Sequence, residues 1–189
     1  MKVVVPENQN EVTIRQHQQW EKAIAGLSDE EIESRHDLKL EKIAVFTTLS
    51  REQATLLTAE DVDSMNELIN EGLNRPGVFK DRFKFNGIEY GFHPNLDKMA
   101  SSEYINLVEY QFNAETLHRS AAILFRPITK ELLGTYQIEK YNGTDEHCET
   151  MRDLPLSIMN GAVVFFSNLT RELSDCIQTY LAKVPMKEL

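Results

Sequence analysis

Asn86-Gly87, flanked by Phe83, Phe85, Ile88, Tyr90 and Phe92, constrains this chain more than any other stretch of its sequence. A two-residue type I′ turn needs φ > 0 at both central positions, which Asn and Gly accept, and its twist matches that of the strands it joins. Such a turn pairs Phe85 with Ile88 and Phe83 with Tyr90, and the period of two then puts all five apolar side chains on one face. A hairpin of this size is marginal by itself, so helices of the same chain or a partner must cover that face.

The rest of the sequence reads mostly as helix. Ser28-Asp29-Glu30-Glu31 is a capping box ahead of Ile32, Leu38, Ile43 and Phe46, and Ser50-Arg51-Glu52-Gln53 repeats it for a short turn. Thr58, with Glu60 and Asp61, opens a helix carrying Val62, Met65, Leu68 and Ile69 that ends near Gly72 or Asn74. Arg75-Pro76-Gly77 then marks a boundary between an N-terminal helical lobe, 1–76, and a hairpin plus helical core domain, 77–189.

In the second part, Ser101-Ser102-Glu103-Tyr104 starts a helix with Tyr104, Ile105 and Val108 turned inward. Asn113 starts another, carrying Leu117, Ala121 and Leu124, which Pro127 stops. Gly134 and the alternation Tyr136, Ile138, Tyr141 indicate a second, weaker β segment closed by Asn142-Gly143. The last and longest helix follows Asp153, with Pro155 at its first position and Leu156, Met159, Val163, Phe166, Leu173 and Ile177 in a packing seam. Gly161 inside that helix implies close approach by a neighbour. The fold class is therefore α+β and predominantly helical, with a small antiparallel hairpin packed against helices and a long C-terminal helix.

Twenty Lys and Arg against thirty Asp and Glu give a net charge of −10, which repels a phosphate backbone and argues against direct nucleic-acid binding. The most apolar run, Ile158 to Phe166, falls well short of the ~20 residues of a membrane span. Cys148 and Cys176 belong to no metal-binding spacing, and neither do His17, His36, His93, His118 and His147. In Asp145-Glu146-His147-Cys148, adjacent residues on a helix point about 100° apart and do not converge on one ion. Acidic pairs such as Glu30-Glu31 and Glu60-Asp61 stand in first helical turns, where the helix dipole accounts for them. Arg126, before Pro127, reads as an ion-pair partner. With neither a G-x-S-x-G turn nor a glycine-rich phosphate loop, the sequence predicts no catalytic residue, no cofactor and no metal.

The apolar payload points instead to protein contacts. Phe83, Phe85, Tyr90, Phe92, Phe165 and Phe166 together exceed what one helix seam covers, so part of that surface is expected at an interface, through self-association or with an elongated partner.

Five segments in order resemble a group of tailed-phage proteins called tail assembly chaperones or tail morphogenesis proteins. They are Phe85-Asn86-Gly87-Ile88-Glu89-Tyr90-Gly91-Phe92-His93-Pro94-Asn95-Leu96; Ser102 to Leu107; Leu117-His118-Arg119 through Ala122 to Ile128; Tyr136 to Thr144; and Leu154-Pro155-Leu156 leading into Gly161 to Phe166. Residues 1 to 76 share only helical character with that group. The resemblance implies a non-enzymatic protein that binds a tape-measure or other tail component in the host cytoplasm. A virion structural protein at a neck, baseplate or internal position is the alternative, and an enzyme of unknown class the remote one.

Overall fold

The computed structural model describes residues 3–75, 78–110, 112–145 and 147–183, with side chains described up to residue 168 and at Arg171. The elements run α1 (Ile14–Ala23), α2 (Asp29–Ser34), α3 (His36–Phe46), α4 (Arg51–Ala54), α5 (Ala59–Asn74), β1 (Arg82–Phe85), β2 (Ile88–Phe92), α6 (Ser101–Tyr110), α7 (Leu117–Leu124), β3 (Phe125–Leu132), β4 (Thr135–Ile138), α8 (Cys148–Met151) and α9 (Leu156–Lys183). The fold is mixed α+β and mostly helical, as the sequence pattern requires.

The starts of α1, α2, α4 and α5 coincide with hydroxyl caps. The Ser28 hydroxyl accepts from the Glu31 N–H at 3.3 Å while the Glu31 carboxylate accepts from the Ser28 N–H at 2.8 Å. Ser50 with Gln53 and Thr13 with Gln16 form the same reciprocal pair at the starts of α4 and α1. Each box satisfies two N–H groups that the first helical turn leaves without a partner.

Phe83 pairs with Tyr90 and Phe85 with Ile88, and Asn86 and Gly87 take φ of 49° and 79°, so the first hairpin has the expected register and turn. The sheet is larger than a single hairpin. Its order is β1-β2-β3-β4, all antiparallel, with Phe92 opposite Phe125 and Tyr90 opposite Pro127. The helix expected to run to Pro127 ends at Leu124. Cross-strand pairing of Phe125 with Phe92 overrides helix propensity there, and Pro127 stands beside an irregularity at Ile128/Lys130, where the ladder is already interrupted. Past that irregularity the hairpin folds back over the sheet. The Tyr136 ring covers Gly91, where a Cβ would meet it at 2.4 Å, and its hydroxyl donates to the Phe92 carbonyl at 2.8 Å.

The other face of the first hairpin belongs to the core. Phe83, Phe92 and Phe125 pack edge to face, with centroids 5.2 and 5.3 Å apart, and Phe165 and Phe166 of α9 reach Phe92 at 5.7 and 6.0 Å. Gly161 has the close approach expected of it, and the neighbour is backbone: a Cβ would lie 2.7 Å from the Val78 carbonyl.

Contacts run between the segments on either side of Arg75-Pro76-Gly77. Ile14 N–H donates to Leu154 O at 3.0 Å and Leu156 N–H to Val12 O at 2.7 Å, so the N-terminal segment is stitched to the entry of α9. One apolar cluster runs from Val12, Trp20 and Ile43 through Phe92 and Phe125 to Met159. Pro76 and Gly77 lie outside the described residues, and so do the side chains of Leu173, Cys176 and Ile177.

Candidate functional site

The six aromatic residues expected at an interface pack mainly against their own chain. Tyr90 and Phe92 are buried, and Phe83, Phe85, Phe165 and Phe166 are half-buried against the core. The helix seam needs less help than its composition suggests, because Phe79, just after the described break, stacks on Phe165 at 4.7 Å and meets Phe92 edge to face at 5.0 Å. The surface that sequence assigned to a partner is thus largely covered from within.

Unpartnered apolar surface lies elsewhere, and a buried ionic cluster puts it there. Glu103 of α6 is 5% exposed and Arg126 of β3 is 4% exposed. The Arg126 guanidinium meets one Glu103 carboxylate oxygen at 2.8 Å. The other oxygen lies 3.3 Å from His93 Nε2 and accepts from the Ala100 N–H at 3.0 Å, closing the start of α6. Burial lowers the His93 pKa, and Arg126 lowers it further, while Glu103 opposes both. His93 is therefore held neutral beside a carboxylate whose two oxygens are both engaged. That carboxylate ties α6 to β3 and to His93.

The anchor decides which way α6 faces. Residues about 100° apart around the helix axis place Leu107 and Tyr110 on the Glu103 side, and Asn106 beside them donates to the Tyr141 hydroxyl at 2.5 Å. Tyr104, Ile105 and Val108 then fall on the opposite side, and they are 61%, 61% and 47% exposed. This reverses the orientation expected from periodicity. A polar residue goes in and an apolar stripe stays out, and a buried Arg without its carboxylate would cost several kcal/mol.

Next to the cluster is a cavity of about 470 Å³ lined by Pro94, Lys98, Glu103, Arg126, Lys140 and Tyr141. The buried Arg126 Nε has no hydrogen-bond partner. Among the described residues, His17, His93 and His147 each meet one carboxylate, Glu21, Glu103 and Glu139, at 3.8, 3.3 and 3.2 Å. No two of them share one.

The fold also gathers His118, Cys148 and Glu149, whose ligand-type atoms lie within 4.8 Å of one another. Residues thirty apart in sequence gave no sign of this. Gln18 Nε2 lies 2.9 Å from His118 Nδ1 and also donates to the Ala114 and Glu115 carbonyls at 2.8 Å, while Gln18 Oε1 accepts from Arg152 at 3.0 Å. That arrangement fixes the amide orientation, makes Nδ1 an acceptor and leaves the ring proton on Nε2. Burial, then Arg152, pushes the His118 pKa down to about 4. A protonated Nε2 beneath nearby guanidinium groups opposes a divalent cation, and Glu149 is already paired with Arg152 at 3.0 Å.

No protein-family model matches the chain, and neither a curated protein nor a solved structure is significantly similar to it. No helix among the described residues is long and apolar enough to cross a membrane.

Proposed function

We propose that the chain is a non-enzymatic morphogenesis protein of a tailed phage that binds other phage proteins, acting as a tail assembly chaperone in the host cytoplasm. The observation that carries the protein-binding part is the outward stripe of Tyr104, Ile105 and Val108, a coherent apolar face on one helix. An amphipathic helix of an elongated partner is the natural occupant, since Tyr104 and Val108 stand at i and i+4 on α6, the period at which such a helix presents its own apolar side chains. The phage assignment is supported by the resemblance over Phe85–Leu96, Ser102–Leu107 and the later segments. The net charge of −10 favours a protein partner over nucleic acid.

Mass spectrometry of tail intermediates and of purified virions tests this reading. A chaperone is found with the tape-measure or another tail component and is missing from finished particles. Recovery at fixed stoichiometry in virions would make it a neck, baseplate or internal structural protein instead. Absence from both would end the assembly reading.

A further inference from the structure

Among the described residues, three other than glycine take positive φ: Asn86, Phe112 and Leu133, at 49°, 54° and 51°. Two of them have a local reason. Asn is among the few side chains that accept this region, and the Phe112 ring packs on Phe166 at 5.5 Å. Leu133 has neither. It is a bulky residue in a strained backbone region, and it is 95% exposed, with Leu132 beside it at 73%. Backbone preference and burial both select against Leu at this tip.

A receptor for such a tip lies next to it on the same molecule. A cavity of about 640 Å³ is lined by Phe79, Phe92, Pro94, Leu96, Tyr136 and Phe165, and its wall includes Gly134 and Thr135 of the tip itself. Asp81 and Asp97 stand at the same cavity, and neither forms an ion pair among the described residues. Lys130, two residues before Leu132, is exposed and likewise has none.

We propose that two copies of this chain pair about a twofold axis near Gly134, each placing Leu132 and Leu133 in the other's aromatic cavity. A knob and a hole that share residues 134 and 135 are related to themselves by one axis, which is what a self-complementary interface requires. Lys130 of each copy then faces Asp81 and Asp97 of the other. That charge complementarity favours a second copy over an unrelated partner. The pairing uses neither Tyr104, Ile105 nor Val108, so it stands apart from the assembly reading.

Sedimentation velocity of the full chain across a wide concentration range tests it, with two variants. The wild type is expected to show a concentration-dependent dimer. Leu133→Asn is expected to raise the dimer dissociation constant at least about tenfold while raising the melting temperature of the monomer, measured at a concentration too low for pairing, because Asn suits φ > 0 and loses no contact within its own chain. Leu96→Glu, on the receiving side, is expected to weaken the dimer similarly. A wild type that stays monomeric, a Leu133→Asn dimer of unchanged strength, or a Leu96→Glu chain that still pairs would each overturn the proposal. So would a lowered melting temperature in Leu133→Asn, since Leu133 would then be serving its own fold.

Discussion

The β1–β2 and β3–β4 hairpins turn through nearly the same backbone angles, 49° and 79° at Asn86-Gly87 and 51° and 78° at Leu133-Gly134. Their sequences follow opposite logic. The first places a favoured residue pair in the turn and an aromatic face in the core, so every local preference agrees with the fold. The second puts a disfavoured Leu in the turn and leaves two leucines in solvent. Where a local rule is broken and nothing within the chain compensates, the explanation has to be sought outside the chain. The same contrast holds within α6, which buries Glu103 and exposes Ile105.

β3 joins the two hairpins by pairing with β2, and its root is the place to break both. Arg126→Met leaves Glu103 buried without its cation and should lower stability by about 3–5 kcal/mol, read by urea unfolding. The double variant Arg126→Met with Glu103→Leu should recover most of that loss, because an apolar pair of similar size needs no counter-charge. A double variant as unstable as the single one would mean that the cluster does not act as a pair.

Gly87→Val strikes the first hairpin alone. A β-branched residue at φ of 79° should cost about 2 kcal/mol. Leu133→Asn strikes the second and should gain up to about 1 kcal/mol, the one tip substitution expected to stabilise. Equal losses in the two would erase the distinction between the hairpins.

Acidification should not distinguish them. The folded His118 pKa, about 4, lies below its ordinary 6.5, so the unfolded chain takes up the proton first as pH falls. Stability from neutral burial is present above pH 6.5 and is lost on descending toward 4, by an amount on the order of 2 kcal/mol. Melting scans of wild type and His118→Gln between these limits should converge at the acid end, the variant changing less.

Much of this fold was legible in sequence because its signals are local. Ser28 with Glu31, Ser50 with Gln53 and the Asn86-Gly87 turn each specify their geometry within a few residues. What was not legible depends on distant partners. Periodicity turned Tyr104, Ile105 and Val108 inward, and only Arg126 and His93, brought near by the sheet, reverse α6. Pro127 reads as a helix stop because its strand pairing with Tyr90 is invisible to any window that holds only one of them. The packing of the six aromatic residues was not legible for a related reason. Phe79 covers part of the aromatic face from outside both the hairpin and the C-terminal helix, and the two leucines at the second tip carry no periodic pattern at all.

The claim that the outer face of α6 is the protein-binding surface is tested most directly by one paired capture. The chain and its Ile105→Asp variant would each be co-expressed with the tape-measure protein that the proposed function names as partner and purified by a tag on the chain, with melting temperatures measured in parallel. Ile105 is 61% exposed, so the variant should melt as the wild type does and lose the captured partner. Equal capture by both, at equal stability, would contradict the account.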